Sequence, residues 1–445
     1  MCDTDAGYSL SGSATNYSSL SWSSSGSGSF SNTTVLNPFY TPSAADISAG
    51  SVTLTLQANG NSPCGSVTDN MTLTIEPSPT ANAGSDGSMC ETDGSYTLSG
   101  SATDYSSVSW SSSGSGSFSN TTILNPDYTP SGADISAGSV TLTLQANGNA
   151  PCGSVSDNMT LTIEPAATVN AGSDATICET SGSYSLNGTA TNYSSVSWSS
   201  SGSGSFSNST ALSTSYTPSG ADITAGSVTL TLQASGNSPC GNVTDDLVLT
   251  IDPAATADAG ADASICEGDS YTVSGASYGG GATSCSWSTS GDGTFTNGTT
   301  TTPTYIPGSG DISNGSVTLT INTNSPSGPC GAVSDDMILT ITPLDDAYFT
   351  YTSGTFCQTG TDPSPTVNTP GGTFTSSPAG LNINGSSGLI DLDASTTQTY
   401  TVTYTTSGTC PNSSSVSVTI TSGFDAEFSY SGPYCEGGVN PLPSH

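Results

Sequence analysis

The chain has 445 residues with no lysine or arginine, 35 acidic residues and one histidine, and its formal net charge is −35. This composition argues against nucleic-acid binding, which takes its affinity from lysine and arginine, and against attraction to anionic membranes; no segment is long and apolar enough to insert into a bilayer. Hydrophobic residues make up 32% of the chain and alternate regularly with polar ones, which favours a folded chain over a disordered one.

The sequence repeats from its first residues onward with a period of about 88 residues. Four tryptophans and four cysteines carry the period: Trp22, Trp110, Trp198 and Trp287, with Cys2, Cys90, Cys178 and Cys266. The period predicts these units: repeat 1 (1–76), repeat 2 (77–164), repeat 3 (165–252), repeat 4 (253–342), a divergent repeat 5 (343–421) and the start of repeat 6 (422–445). Repeat 1 has no counterpart of residues 77–88, which should hold the first strand, so we expect the chain to be part of a longer protein.

Apolar residues alternate with serine or threonine along repeat 2. The pattern appears in chain order at 96–98, 108–110, 140–144 and 159–163. Such a period of two predicts strands with one buried and one solvated face. Segments rich in Gly, Ser, Asn and Pro, such as 113–116, separate them as turns. About seven short strands predict an all-β immunoglobulin-like sandwich, and the whole chain an extended array of such domains in tandem.

The apolar positions of repeat 2 define its expected core: Tyr96, Leu98, Val108, Trp110, Phe118, Tyr128, Val140, Leu142, Leu144, Met159, Leu161 and Ile163. This core is thin, so we expect one disulfide in each domain to support it, formed in an oxidising compartment. The spacing favours pairing within each repeat, as follows: Cys2–Cys64, Cys90–Cys152, Cys178–Cys240, Cys266–Cys330 and Cys357–Cys410.

Two cysteines are left over by this scheme. Cys435 lies in the incomplete repeat 6. Cys285 stands two residues before Trp287, where repeats 1 to 3 have leucine or valine. It is either a buried free thiol or the site of an intermolecular disulfide.

The composition also argues against catalysis. Ser-His-Asp and Cys-His sites need an imidazole base, and the only histidine is His445 at the chain end. Ser-Lys sites and phosphoryl transfer need basic residues, and no CxxC-like spacing suggests zinc. A pair of carboxylates could still act as a glycosidase, but it would recur in every repeat without a cleft. We therefore expect no enzyme activity.

Acidic residues collect near the predicted boundaries on either side of repeat 4. Hard oxygen ligands of this kind suit calcium, which would stiffen the junctions between domains. The alternative is that they are solvated surface carboxylates that keep the chain soluble. The candidate calcium ligands are Asp252, Asp258, Asp262, Glu267, Asp269, Asp345 and Asp346.

A second acidic position recurs in repeats 1 to 4: Asp46, Asp134, Asp222 and Asp311. In repeat 2 it lies three residues after Ser131, and this spacing predicts a capping box on one helical turn. Repeat 4 has Gly308 in place of the serine, so we expect its cap to be weaker.

A longer motif links these features, and in repeat 3 it runs through 167–177, Trp198, 202–206, 216–218 and 222–232. It resembles the PKD-like and Ig-like repeats of very large secreted proteins of Bacteroidota. The Gly-Asp-Gly turn of repeat 4 and the Pro-Gly-Gly-Thr-Phe segment of repeat 5 are similar to units of the same proteins. The resemblance implies an extracellular, surface-attached protein, commonly exported by type IX secretion, that serves adhesion or gliding motility.

Three functions fit these observations. The first is a non-catalytic stalk of a cell-surface adhesin, whose partners are the neighbouring domains of the same chain. The second is binding of surface glycans by the repeats, which exposed aromatic residues would support, although the four tryptophans occupy a position that looks buried. The third is self-association into an extracellular fibre by strand exchange.

Overall fold

The computed structural model describes residues 1–424, so that almost all of repeat 6, with Cys435 and His445, lies outside the described residues. Contacts divide the chain into two compact units. Unit 1 comprises Met1–Ala175 and Gly182–Thr250, and unit 2 comprises Thr176–Ser181 and the chain from Ile251 onward. The predicted repeat boundaries remain predictions, and the repeats serve below as names for stretches of sequence.

Repeats 1 to 3 consist of short strands and one short helix each. The elements of repeat 1 are β1 (Tyr8–Ser9), β2 (Tyr17–Ser24), β3 (Ser29–Phe30), β4 (Phe39–Thr41), α1 (Ala44–Ala49), β5 (Ser51–Gly60) and β6 (Ser66–Thr74). Those of repeat 2 are β7 (Thr80–Asn82), β8 (Gly87–Cys90), β9 (Tyr96–Thr97), β10 (Ser101–Thr103), β11 (Tyr105–Ser112), β12 (Ser117–Phe118), β13 (Asp127–Thr129), α2 (Gly132–Ala137), β14 (Ser139–Gly148) and β15 (Ser154–Glu164). Those of repeat 3 are β16 (Thr168–Asn170), β17 (Ala175–Cys178), a 3₁₀ turn (Glu179–Ser181), β18 (Tyr184–Asn187), β19 (Thr189–Thr191), β20 (Tyr193–Ser200), β21 (Ser205–Phe206), β22 (Ser213–Thr217), α3 (Gly220–Ala225), β23 (Ser227–Gly236) and β24 (Asn242–Asp252).

Repeats 4 and 5 follow the same plan, except that repeat 5 has no helix among its described residues. The elements of repeat 4 are β25 (Ala255–Asp258), β26 (Ala263–Cys266), β27 (Tyr271–Thr272), β28 (Ser277–Gly280), β29 (Cys285–Thr289), β30 (Thr294–Thr296), β31 (Thr304–Ile306), α4 (Ser309–Asn314), β32 (Ser316–Thr323) and β33 (Ser334–Thr342). Those of repeat 5 are β34 (Phe349–Thr350), β35 (Thr355–Cys357), β36 (Thr366–Val367), β37 (Thr373–Ser377), β38 (Asn382–Ile383), β39 (Ile390–Asp391), β40 (Thr399–Thr405) and β41 (Ser413–Thr421).

Repeat 2 shows the sheet order that positions the functional features. Its larger sheet has the order β11-β14-β15-β8, a three-stranded sheet has the order β12-β13-β9, and β7 pairs with β10. Repeat 4 repeats this arrangement with β29-β32-β33-β26, β30-β31-β27 and β25-β28. The all-β fold of tandem immunoglobulin-like sandwiches, predicted from the alternation of apolar residues, is therefore confirmed.

The core of repeat 2 lies between these sheets. Ten of the twelve expected core residues are buried, and Tyr96 and Phe118 are half-buried against them. Ala83, Met89 and Ala146 complete the core. The four recurrent tryptophans are between 3% and 9% exposed, so their position in the repeat is a core position.

In repeats 2, 4 and 5 one outer strand of the larger sheet runs parallel to its neighbour, whereas the other strands pair antiparallel. In repeat 2, β8 lies parallel to β15, with Gly87 opposite Leu161 and Cys90 opposite Glu164. In repeat 4, β26 lies parallel to β33 in the same register. The first cysteine of a repeat therefore stands beside the end of its last strand.

A buried aspartate connects the helix of repeat 2 to the sandwich. Asp134 is 3% exposed, and Ser131 caps α2 in the predicted capping box. The Asp134 carboxylate accepts hydrogen bonds from the Tyr128 hydroxyl and from the backbone N–H groups of Ser131, Ser115 and Gly116, at 2.8–3.1 Å. Burial alone would raise the pKa of Asp134, but these hydrogen bonds outweigh it and lower the pKa to about 2.

Repeat 4 keeps the buried aspartate but caps its helix differently. Gly308 offers no side chain to the Asp311 N–H. The Asp292 carboxylate takes that role, accepting from the N–H groups of Asp311 at 3.1 Å and Gly310 at 2.9 Å. The expectation of a weaker cap in repeat 4 overlooked this replacement, because Asp292 precedes the helix by many residues in the sequence.

We predict that Asp134→Asn lowers the opening free energy of repeat 2 by about 2 kcal/mol, because hydrogen bonds to a charged acceptor are lost in a buried place. The depressed pKa of Asp134 adds a pH signature. Its contribution is complete above the unfolded pKa of about 3.9 and disappears as the pH falls towards the folded value of about 2. Hydrogen exchange of repeat 2 peptides at several pH values measures both effects. Asp127→Asn, at an exposed carboxylate of the same repeat, is the control and should change little.

We predict that the substitutions Asp292→Ser and Gly308→Ser each destabilise repeat 4 by about 1 kcal/mol, whereas the double substitution is close to the parent. The first removes the cap. The second would place a Cβ 2.2 Å from Asp292 Oδ1. Together they recreate the serine pair of repeat 2, whose hydroxyls (Ser115 and Ser131) lie 2.8 Å apart. Hydrogen exchange of repeat 4 measures the stability of the two single variants and the double variant. Additive losses of stability in the double variant would contradict the replacement of the serine cap by Asp292.

Candidate functional site at the repeat junctions

The parallel strand pair places the two cysteines of one repeat at opposite ends of its sheet. Cys90 ends β8 beside Glu164, the last residue of β15. Cys152 lies in the loop before β15, and strand β15 is 11 residues long. At about 3.3 Å per residue the two cysteines are roughly 35 Å apart, whereas a disulfide requires Cα atoms within about 7 Å. Pairing within repeat 2 is therefore impossible in this fold.

The disulfides instead join neighbouring repeats. Each connects the first cysteine of one repeat to the second cysteine of the next, with Cα–Cα distances of 4.9–5.4 Å. The pairs are Cys2–Cys152, Cys90–Cys240, Cys178–Cys330 and Cys266–Cys410. The predicted pairs Cys2–Cys64, Cys90–Cys152, Cys178–Cys240, Cys266–Cys330 and Cys357–Cys410 are wrong. Eight of the ten predicted cysteines do form disulfides.

The two remaining predicted cysteines, Cys64 and Cys357, are free thiols in the structure. Cys64 is exposed, in the loop that corresponds to that of Cys152. Cys357 is half-buried at the end of β35, opposite Thr421, and hydrogen bonding with the Thr359 hydroxyl lowers the pKa of its thiol. Each has the position that a disulfide cysteine has in the other repeats.

Cys285 is a buried free thiol, 4% exposed in the core of repeat 4. Burial raises the pKa of its thiol. Of the two interpretations left open by the sequence, the buried thiol agrees with the structure, because a side chain inside this core cannot reach a second molecule.

Acidic residues reinforce three of the junctions. The residue directly after the first cysteine accepts a hydrogen bond from a backbone N–H at the start of the next repeat. Glu91 accepts from Ala166 at 2.9 Å, and Glu179 accepts from Ala254 at 3.1 Å. The sequence analysis missed this role. The signal was present in the 88-residue period, since an acidic residue follows the first cysteine in all four repeats.

The candidate calcium ligands do not come together. Four of them accept hydrogen bonds from backbone N–H groups: Asp258, Asp262, Asp345 and Asp346. In the part of the chain that the structure describes, the only cluster of three metal-ligating side chains within 4.8 Å is Cys2, Asp3 and Cys152. Its two sulfurs form a disulfide and supply no thiolate. Calcium binding at Asp252, Glu267, Asp269 and the four carboxylates above stays a prediction.

The disulfides are shielded from solvent. Seven of their eight cysteines are at most 9% exposed: Cys2, Cys90, Cys152, Cys178, Cys240, Cys330 and Cys410. Disulfide exchange requires attack by a thiolate on an accessible sulfur. We therefore expect the folded junctions to resist reduction by small thiols.

The fold and the junctions define an array of immunoglobulin-like β-sandwich domains in which disulfides link successive repeats. No helix between residues 1 and 424 has the length and hydropathy needed to cross a membrane. No protein-family model matches the chain, and no curated protein matches it significantly.

Several solved structures resemble the chain at low identity. The protocadherin GammaB4 extracellular domain has 13% identity and a TM-score of 0.32, over 93% of this chain and 78% of that one. The human desmocollin-1 ectodomain has 11% identity and a TM-score of 0.28, over 95% and 97%. An E-to-A variant of titin domains I67–I69 has 14% identity and a TM-score of 0.37, over 60% and 99%. The fold assignment rests on the sheet order described above.

We predict that N-ethylmaleimide modifies Cys64 and Cys357 in the folded, oxidised chain, whereas Cys285 reacts only after unfolding because its core excludes the reagent. Peptide mass spectrometry without reductant should recover Cys90 linked to Cys240. Recovery of Cys90 linked to Cys152 would contradict the junction disulfides.

Proposed function

We propose that this chain is a non-catalytic stalk region of an extracellular cell-surface adhesin. The observation that carries the proposal is the presence of a disulfide between successive repeats at four positions. A catalytic or ligand-binding module needs no second covalent link to its neighbours beside the backbone. A stalk gains from one, because it must hold its domains together under load. Such disulfides also persist only in an oxidising compartment, which supports an extracellular location.

The composition supports the same function. The carboxylates of the stalk repel one another, and no lysine or arginine offsets their charge. This repulsion favours solubility and separation of chains. The absence of lysine and arginine removes every trypsin site, which suits a long life outside the cell. The motif resemblance supports placement among Bacteroidota surface proteins exported by type IX secretion, with adhesion or gliding motility as the process served.

The buried tryptophans weigh against glycan binding by the repeats, since a ring that is 3% exposed, as in Trp110, offers no face to a sugar. The self-assembling fibre is the second candidate. Cys64 and Cys357 occupy the positions that bond across a junction in the other repeats, so each can bond to a further repeat of the same chain or of a second chain. Oxidised dimers linked through these two thiols would support the fibre.

We predict that small-angle scattering of the oxidised chain gives an extended monomer. Reduction under conditions that open the disulfides should increase its flexibility, because the hydrogen bonds at the junctions are then the main remaining restraint. Calcium followed by excess chelator checks the metal prediction, since only bound calcium would make the stiffness depend on the chelator.

A compact particle in the oxidised state would overturn the stalk. A particle of twice the monomer mass that returns to monomer on reduction would favour the fibre. Unfolding must be monitored in the same samples by circular dichroism, so that loss of junction stiffness is not confused with loss of the domains.

A further inference from the structure

We propose that residues 2–410 are joined by two separate covalent routes, so that no single peptide bond or disulfide is needed to hold the two ends together. The inference deepens the proposed stalk function, and its benefit to a load-bearing extracellular tether rests on that function. The connectivity itself rests only on which cysteines are paired.

The length of the disulfide loops makes the routes possible. Each disulfide spans 144–152 residues of sequence, whereas the repeat period is about 88 residues. Successive loops must therefore overlap. The loop closed by Cys2–Cys152 still encloses the chain when the loop closed by Cys90–Cys240 begins, and the same overlap recurs as far as Cys410.

The first route uses the disulfides Cys2–Cys152 and Cys178–Cys330. It passes from Cys2 to Cys152 through sulfur and follows the backbone over 152–178. It then crosses from Cys178 to Cys330 and follows the backbone over 330–410.

The second route uses the disulfides Cys90–Cys240 and Cys266–Cys410. It follows the backbone over 2–90, crosses from Cys90 to Cys240 and continues along 240–266. It reaches Cys410 directly from Cys266 through the last disulfide. The two routes share no bond. A break anywhere between residues 2 and 410 can therefore interrupt only one of them.

Pairing within repeats would give a different result. The backbone between one repeat's second cysteine and the next repeat's first cysteine, such as 152–178, would then be the only connection. These segments include the junctions, which are the places where chains of domains are usually cut by proteases. Pairing across the junctions instead bypasses each of these segments with a disulfide.

The load-bearing segments are also supported by the fold. Residues 152–178 contain β15, which is hydrogen-bonded to β14 on one side and to β8 on the other. Tension that enters at Cys152 therefore acts along a central strand, so that its hydrogen bonds are loaded together instead of one after another.

The absence of lysine and arginine allows a sharp test, because one introduced lysine creates the only trypsin site in the chain. Thr168 is exposed and lies in the segment 152–178. The Thr168→Lys chain is folded and oxidised, its free thiols are blocked with N-ethylmaleimide, and it is then cut by trypsin in mild urea so that accessibility does not limit cleavage. We expect a single full-length band without reductant, and two fragments (1–168 and 169–445) with reductant.

Matched variants identify the bond responsible. Thr168→Lys combined with Cys90→Ser and Cys240→Ser should separate without reductant, because only that disulfide bypasses residue 168. Thr168→Lys combined with Cys2→Ser and Cys152→Ser should stay joined. Separation of the Thr168→Lys chain itself without reductant would overturn the proposal. The result is independent of scattering, so a failure of the two routes and a failure of the stalk function are distinguishable.

Discussion

The junctions depend on one interaction, the parallel pairing of an early strand with the last strand of the same repeat. In repeat 2 this pairing carries Cys90 to the end of β15, and it leaves Cys152 at the other end of the sheet. The first cysteine therefore faces the following repeat, and the second faces the preceding one. Pairing of β8 with the first residues of β15 instead of the last four would bring both cysteines to the same end and would favour independent domains.

A second constraint is the complete absence of lysine and arginine. Carboxylates in most proteins find lysine or arginine partners, but here only N–H and O–H groups are available as donors. Such donors are sufficient to stabilise a buried carboxylate. Three backbone N–H groups and one hydroxyl hold Asp134 ionised inside the protein. Glu91 and Glu179 use the same chemistry between repeats. Negative charge is thus part of the framework as well as of the surface.

The sequence was sufficient for the features that depend on local pattern. The alternation of apolar residues predicted the strands and most of the core of repeat 2, and the spacing from Ser131 to Asp134 predicted the helix cap. It was insufficient where the position of a strand along its neighbour matters. The spacing of Cys90 and Cys152 is compatible with a bond within the repeat, and only the parallel register shows that they lie far apart.

The same limit applies to replacements that act across space. Asp292 and Gly308 are separated in sequence, and their joint effect on the cap of α4 appears only when the turn is folded against the helix. For the acidic residues near repeat 4, the sequence suggested a proximity that the fold does not keep. Their proximity in sequence suggested a cation site, but the fold distributes several of them among different backbone donors.

The offset pairing of the cysteines also bears on how such a chain can change its length during evolution. Each disulfide joins the first cysteine of a repeat to the second cysteine of the next repeat. Any copy of the repeat can therefore supply the second cysteine. Duplication or deletion of any whole repeat therefore leaves every internal cysteine with a partner in the correct place. A gain or loss of part of a repeat does not, because it leaves an unmatched thiol in the interior of the array. Unequal recombination between similar copies, such as repeats 2 and 3, is in this way restricted to complete units, and the length of the array can vary without a redesign of its junctions.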